Sequence, residues 1–239
     1  MTPNKPTDNS IWVFGYGSLV WSPNFTYEER LVGYIEGFKR RFWQGSMHHR
    51  GSTERPGRVV TLVKDQTSRV WGVAYRIQGQ ENISKAIGHL TKREISLGGY
   101  EVQVTKCHTL QGECHTSGDI FALVYYAAPG NPCYRGCASY DEISTDILLS
   151  YGYCGSNIEY LFRLTDFMRT ECRDEKDDHL YAVDNLVRLK MGICPKSMQT
   201  WMELIKCNKF LSKLAELSTE LRTNSIESSV YFKTAIASQ

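Results

Sequence analysis

The hydrophobic pattern over the first half of the chain favours β-strands. Short apolar runs that are bounded by glycine or polar residues are typical of buried strands. The pattern predicts strands at Ile11–Gly15, Leu31–Tyr34, Phe38–Trp43, Arg58–Val63, Val70–Ile77, Glu101–Cys107 and Ile120–Tyr126. The polar stretch Lys64–Ser68 predicts a turn. We therefore expect the two strands on either side of that stretch to pair as a hairpin.

Helical spacing appears first at Glu81–Leu90 and dominates the chain after Tyr140. In Glu81–Leu90, the apolar residues Ile83, Ile87 and Leu90 recur every three or four positions, as on one face of a helix. The same spacing predicts helices at Asp141–Tyr151, Asn157–Cys172, His179–Met191 and Met198–Leu217. Strands followed by helices indicate an α+β fold.

The two ends of the chain differ in composition from its middle. Residues 1–10 are polar and contain two prolines, which predicts a disordered tail. Residues 11–195 are expected to form one globular domain, and residues 196–239 an accessory helix with a flexible tail rich in Ser and Thr.

We expect a cytosolic protein, because there is no apolar signal-peptide core and no run of ~18 apolar residues. Its eight cysteines are then reduced thiols.

Charge and cysteine spacing argue against nucleic-acid and metal binding. The 28 basic residues barely exceed the 26 acidic ones, and the net charge is +2, whereas phosphate binding relies on an excess of clustered cations. Cys133 and Cys137 form only one loose pair, while a structural zinc site shows two tight pairs. His48 and His49 are adjacent, so on a strand their side chains would point to opposite faces.

The first candidate functional segment follows the first predicted strand. In Tyr16-Gly17-Ser18-Leu19, the glycine lets the backbone approach a ligand, and successive N–H groups can bind a carboxylate. A dinucleotide site would need a third glycine and a following helix, but Trp21-Ser22-Pro23 comes next. A purely structural turn remains an alternative.

Two further segments combine charged and aromatic residues. Arg40–Ser46 and the following His48–Gly51 bring together side chains that can bind a carboxylate and line a pocket, although an exposed strand is an equal alternative. Glu94 lies near the expected end of a helix, where the helix dipole raises its proton affinity unless Lys92 or Arg93 offsets it. A raised proton affinity suits a general acid/base near neutral pH, and the alternative is a surface carboxylate.

Together these segments resemble the ChaC family of glutathione-specific γ-glutamylcyclotransferases. The matching strings occur in the same order over some 150 to 180 residues. They are Trp12–Trp21, Leu31–Tyr34, Arg41–Ser46, Pro56–Val63, Val70–Arg76, Arg93-Glu94 with Gly98–Tyr100, and Asn157–Leu161.

The resemblance implies both a fold and a reaction. The expected fold is a γ-glutamylcyclotransferase-like small mixed β-barrel flanked by α-helices. The expected reaction is the cleavage of reduced glutathione to 5-oxoproline and cysteinylglycine, a carbon–nitrogen lyase reaction. The family implies no cofactor and no metal ion. We expect no nucleic-acid, membrane or obligate protein partner.

The resemblance also implies roles for particular residues. Glu94 matches the catalytic glutamate of the family. Residues expected to bind substrate are Tyr16, Gly17, Ser18 and Leu19, which match the segment that holds the glutamyl group, together with Tyr160, Gln44 and Arg50.

Some positions depart from the family pattern, and two other functions stay open. His48 stands where the family usually has an acidic residue, and the loop Gly152–Ser156 differs from the usual one.

One alternative function is cyclisation of γ-glutamyl amino acids or γ-glutamylamines, but the Arg41–Ser46 string favours glutathione. The other is a non-catalytic binding module, and the presence of Glu94 argues against it.

Overall fold

The computed structural model of the chain describes residues 9–96, 100–109, 119–127 and 129–192. The predicted helix Met198–Leu217 and the predicted segment 196–239 lie outside the described residues, as does nearly all of the predicted tail 1–10. Their boundaries stay predictions. Within the described part of the chain, no helix has the length and the apolar character needed to cross a membrane.

The chain divides into two compact units, residues 1–187 and residues 188–239. The first unit contains a closed five-stranded barrel. Its strands are β1 (Ser10–Gly15), β2 (Glu29–Ser46), β3 (Gly57–Gln78), β4 (Glu101–Thr109) and β5 (Ile120–Tyr126). They are ordered β1-β3-β2-β4-β5, and the barrel closes through a parallel pairing of β1 with β5, while the other pairs are antiparallel. The expected mixed barrel is confirmed.

The hairpin of the barrel is formed by β2 and β3, which differs from the prediction. Arg58–Val63 and Val70–Ile77 are parts of one strand, and both pair with β2 rather than with each other, so the predicted hairpin is wrong. The polar stretch lies at a register shift opposite Gly37, whose φ is 83°. Asp65 Oδ1 accepts a hydrogen bond from the Thr67 N–H at 3.1 Å, a contact typical of turns. The polar stretch therefore forms a local irregularity within β3 and does not end the strand.

The described residues contain four helices. They are α1 (Gln80–Leu90), α2 (Tyr140–Leu149), α3 (Asn157–Glu171) and α4 (Asp178–Lys190). A 3₁₀ turn at Ser18–Val20, a π-helical turn at Thr91–Ser96 and a two-stranded sheet of β6 (Tyr151–Gly152) and β7 (Gly155–Ser156) complete the described structure. Ser139 and Ser156 cap α2 and α3, because each hydroxyl accepts the N–H three residues later.

Packing of α1 on the barrel places the segment that follows this helix. The apolar face of α1 contributes Ala86 and Leu90 to a core cluster with Val13, Leu19 and Ile77. Burial of these side chains stabilises the contact by roughly 1.5–3 kcal/mol for each large residue. The chain therefore leaves α1 beside the turn at the end of β1.

Arg58 and Asn157 attach α2 and α3 to the start of β3. The Arg58 side chain is 1% exposed and forms ion pairs with Glu142 at 2.9 Å and Asp146 at 2.8 Å. The Asn157 side chain accepts the Arg58 N–H at 2.6 Å and donates to the Arg58 carbonyl at 2.8 Å. These contacts fix the first turn of α3 against the barrel.

Candidate active site

The turn after β1 is held by hydrogen bonds from two tyrosines. The Tyr16 hydroxyl donates to the Tyr125 carbonyl at 2.8 Å, and the Tyr75 hydroxyl donates to the Leu19 carbonyl at 2.8 Å. The Gly17 carbonyl accepts the Val20 N–H at 3.0 Å and starts the 3₁₀ turn. The turn is thereby attached to β5 and β3 and has a fixed shape.

Two adjoining cavities meet at this turn. A small one of about 40 Å³ is lined by the whole segment Tyr16–Leu19. A larger cleft of about 610 Å³ opens beside it. Ser18, Tyr100 and Tyr160 line both cavities. A ligand can therefore place one end against the turn and extend into the cleft.

Tyr160 projects from α3 and forms the boundary between the cavities. Its hydroxyl accepts the Val60 N–H at 3.3 Å, and its ring makes an edge-on contact with Trp21 at 5.4 Å between centroids. The Arg50 guanidinium lies 6.0 Å from the centre of the same ring. The predicted pocket residues Arg50 and Tyr160 therefore lie together in the cleft wall.

A carboxylate between two arginines forms another part of the cleft wall. Arg50 donates to Glu159 Oε2 at 2.9 Å and to the Ser156 carbonyl at 3.0 Å, while Arg163 donates to Glu159 Oε1 at 2.7 Å. Arg50 is nearly buried, and Arg163 is partly exposed. The group of three carries one net positive charge.

The described lining of the cleft is rich in cations. Arg50, Lys92, Arg93 and Arg163 face it with Glu159 as the one described carboxylate. Burial, followed by the charges of Arg93, His48 and Arg50, lowers the pKa of His49. Burial, followed by the charges of Arg93 and Lys92, also lowers the pKa of His89. The field in the cleft suits a ligand that carries carboxylates.

Glu94 lies in the π-helical turn that directly continues α1. Its side chain is outside the described residues. The neighbouring Arg93 donates to Ser18 Oγ at 2.5 Å and to the Ser22 carbonyl at 3.1 Å. The segment that carries Glu94 is therefore bonded to the turn of Ser18.

The predicted substrate-binding residues Gln44 and Leu19 are not part of the described lining of the larger cleft. Gln44 is 1% exposed, donates to Asn131 Oδ1 at 3.2 Å and is absent from the described lining of both cavities. Its neighbours Gly45 and Ser46 do line the cleft. The side chain of Leu19 packs in the core, beside the small cavity. Substrate binding by both residues stays a prediction.

Sequence reasoning missed several residues of the cleft. Arg93 belongs to a matching string and is a charge near Glu94, but its bonds to residues more than 70 positions earlier leave no mark in local spacing. Glu159 could have been noticed, since it directly precedes Tyr160 in a matching string. Trp21 and Tyr100 also line the cleft.

Free thiols occur in the described part of the chain, and two of them lie at the cleft. Cys107, Cys133, Cys137, Cys154 and Cys172 are free thiols, and Cys133 and Cys154 line the cleft. In residues 9–96, 100–109, 119–127 and 129–192, no group of three His, Cys, Asp or Glu side chains is placed to hold a metal ion.

The barrel fold of this chain is shared with a γ-glutamylcyclotransferase of known structure. A crystal structure of a yeast γ-glutamylcyclotransferase specific to glutathione aligns with a TM-score of 0.68 at 28% identity, over 76% of this chain and 97% of that one. The family model of ChaC-like proteins matches residues 11–190, and the chain belongs to this family.

Curated relatives are similar over most of their length. The human glutathione-specific γ-glutamylcyclotransferase 1 is 46% identical over 193 residues, which are 80% of this chain and 85% of that protein. The zebrafish (Danio rerio) protein of the same name is 44% identical over 185 residues, or 75% of this chain and 92% of its own.

Proposed function

We propose that this protein is a glutathione-specific γ-glutamylcyclotransferase, which cleaves reduced glutathione to 5-oxoproline and cysteinylglycine. The observation that carries the proposal is the bond between Arg93 and Ser18, which joins the turn that we assign to substrate binding to the segment of Glu94. Relatives at 44–46% identity carry the name of this activity. The substrate is a small peptide with two carboxylates, which the cationic cleft suits.

The reaction is an intramolecular acyl transfer. The α-amine of the glutamyl group loses a proton and attacks the γ-carbonyl carbon of the same residue. The bond from that carbon to the cysteinyl nitrogen then breaks, and the nitrogen takes up a proton. The equation balances without water, oxidant or reductant. Because nucleophile and carbonyl belong to one residue, holding it in a folded shape supplies much of the acceleration.

Glu94 is assigned the proton transfers. A carboxylate can take the proton from the ammonium group and return it to the leaving nitrogen, and such catalysis contributes about 10²–10⁴-fold in rate. Its place just after α1, at the negative end of the helix dipole, favours the proton-accepting role.

The turn Tyr16–Leu19 is assigned the glutamyl end of the substrate. It lines the small cavity, and its backbone N–H groups are candidates to stabilise the negative charge that develops on the carbonyl oxygen. The peptide remainder then extends into the cleft past Tyr160 and Arg50. The cations of the cleft attract the substrate carboxylates.

Cytosolic action is part of this proposal. The free thiols suit a reducing compartment, which is also where a reduced thiol substrate persists. We propose a small-molecule substrate as the partner of the site, without a requirement for nucleic acid or a second protein.

The test of the proposed function is 5-oxoproline release from reduced glutathione, with γ-glutamyl-alanine as the comparison substrate. We expect turnover of glutathione and little turnover of γ-glutamyl-alanine. If only γ-glutamyl-alanine reacts, the reaction is right and the specificity is wrong. If neither substrate reacts but glutathione raises the melting temperature, the chain is a binding module.

A further inference from the structure

Arg93 bonds to both ends of one turn across the cleft wall. Its Nη2 donates to Ser18 Oγ at 2.5 Å, and its Nη1 donates to the Ser22 carbonyl at 3.1 Å. Ser18 and Ser22 are themselves joined, because the Ser22 N–H donates to the Ser18 carbonyl at 2.9 Å. A single guanidinium therefore holds this turn as a unit.

The chemistry of a guanidinium determines the direction of the hydroxyl. Arginine only donates hydrogen bonds, so Ser18 Oγ is the acceptor and its own proton must point away from Arg93. Ser18 lines both the small cavity and the cleft, so its hydroxyl proton has these two cavities within its reach. A hydrogen bond from a cation also polarises the hydroxyl and makes it a stronger donor.

The same contact holds the backbone next to Glu94. The turn Thr91–Ser96 is π-helical, which is a wide and uncommon geometry often found at functional sites. One end of this turn is fixed by α1, which packs on the barrel. The Arg93 side chain provides a second attachment, to the turn at the end of β1.

We propose that Arg93 is a positioning residue of the reaction: it sets the spacing between Glu94 and the Ser18 turn and directs the Ser18 hydroxyl proton toward the substrate. This inference rests on the proposed function. The hydroxyl then donates to the oxygen of the reacting carbonyl or to the glutamyl carboxylate.

A simple effect of charge is the competing explanation, because Arg93 also contributes to the field in the cleft. Arg93→Lys separates the two explanations, since lysine keeps the charge but cannot make the forked contact. The remaining variants are Arg93→Ala, Ser18→Ala and the combination of both alanine changes. Lys85→Gln is the control, because it removes an exposed cation of α1 that pairs only with its neighbour Glu81 among the described residues.

We expect kcat for 5-oxoproline release to fall roughly 10- to 100-fold in Arg93→Lys and in each alanine variant, with KM changed less than about 3-fold. The kcat of the double variant should be only slightly below that of the less active single variant, because both changes remove the same hydrogen bond between Arg93 and Ser18. Added guanidinium ion should restore part of the kcat of Arg93→Ala. Lys85→Gln should retain wild-type kcat.

Several results would overturn the inference. Wild-type kcat in Arg93→Lys would leave only the charge effect, and fully multiplicative losses in the double variant would show that the two residues act independently. Melting curves identify any variant that fails to fold, and if Arg93→Ala is one, the comparison of Arg93→Lys with Ser18→Ala decides. A wild-type protein that forms no 5-oxoproline would refute the proposed function and this inference together.

Discussion

The hydroxyl of Tyr160 occupies the space where a side chain at Gly17 would begin. A Cβ atom at position 17 would lie 2.8 Å from Tyr160 Oη and 3.0 Å from Val60 Cγ2. The turn and α3 can approach this closely only because residue 17 has no side chain. The small cavity owes its shape to this contact, because Gly17 and Tyr160 both line it.

Gly17→Ala should therefore reduce activity. The added methyl group must displace Tyr160 or the turn, which costs about 1–3 kcal/mol of stability and deforms the cavity. We expect at least a roughly 10-fold loss of 5-oxoproline release. Gly88→Ala is the matched control, since a Cβ there has no neighbour within 4 Å and alanine favours a helix interior. Equal activity of the two variants would contradict the assigned role of the turn.

Tyr160→Phe should weaken both the fold and the reaction. The Val60 N–H loses its acceptor at 3.3 Å, so we expect the free energy of unfolding in urea to fall by about 1 kcal/mol. We also expect a lower kcat, because Tyr160 lines both cavities. Tyr151→Phe, at a 52% exposed tyrosine, should change the unfolding free energy by less than about 0.5 kcal/mol. Equal unfolding free energies and equal kcat values in the two variants would contradict the roles assigned to the Tyr160 hydroxyl.

Arg50 and Arg163 bind the same carboxylate but should contribute differently. The Arg50 side chain is 9% exposed, and that of Arg163 is 40% exposed. We expect Arg50→Met to cost about 2 kcal/mol or more of unfolding free energy, because Glu159 and the Ser156 carbonyl lose a buried donor. Arg163→Met should cost less than about 1 kcal/mol. Urea denaturation of both variants measures the two losses of unfolding free energy. A larger loss in Arg163→Met than in Arg50→Met would contradict this prediction.

His179 should make the fold sensitive to acid. Its Nε2 accepts the Phe42 N–H at 3.1 Å, and burial lowers the pKa of His179 to about 3. The unfolded chain binds the proton at a pKa near 6.5, so stability is lost as the pH falls from about 6.5 toward 3. At pH 5 the loss from this group is about 2 kcal/mol.

The variant His179→Gln isolates this contribution. Glutamine can still accept a hydrogen bond but does not titrate in this range. We expect the unfolding free energy of the wild type to decline more steeply between pH 7 and pH 5 than that of the variant. Parallel declines would show that His179 is not the responsible group.

Element types were predictable where one periodicity continued without interruption. The predicted bounds of Ile120–Tyr126 match the observed strand, and those of the three described helices after Ser139 agree within two residues. The predicted hairpin within β3 is wrong. A polar stretch such as Lys64–Ser68 is locally typical of a turn, but in the barrel both parts of β3 pair with β2. The pairing partner of a strand is not encoded in its own alternation.

The candidate site was predictable as segments but not as contacts. Tyr16–Leu19, Arg50 and Tyr160 were named from their strings, and the fold brings them to one pair of cavities. The buried position of Gln44 and the bond from Arg93 to Ser18 were not predictable, because each depends on residues far away in the sequence.

The assignment of the proton transfers to Glu94 is tested by Glu94→Gln, measured for both turnover and binding of glutathione. Glutamine keeps the shape of the side chain but cannot carry the proton, so we expect a loss of 5-oxoproline release of about 100-fold or more. Binding, followed by calorimetry or by the melting temperature, should persist. Glu81→Gln, at an exposed glutamate of α1, should behave as the wild type. Wild-type turnover in Glu94→Gln would show that Glu94 does not carry the proton in this reaction.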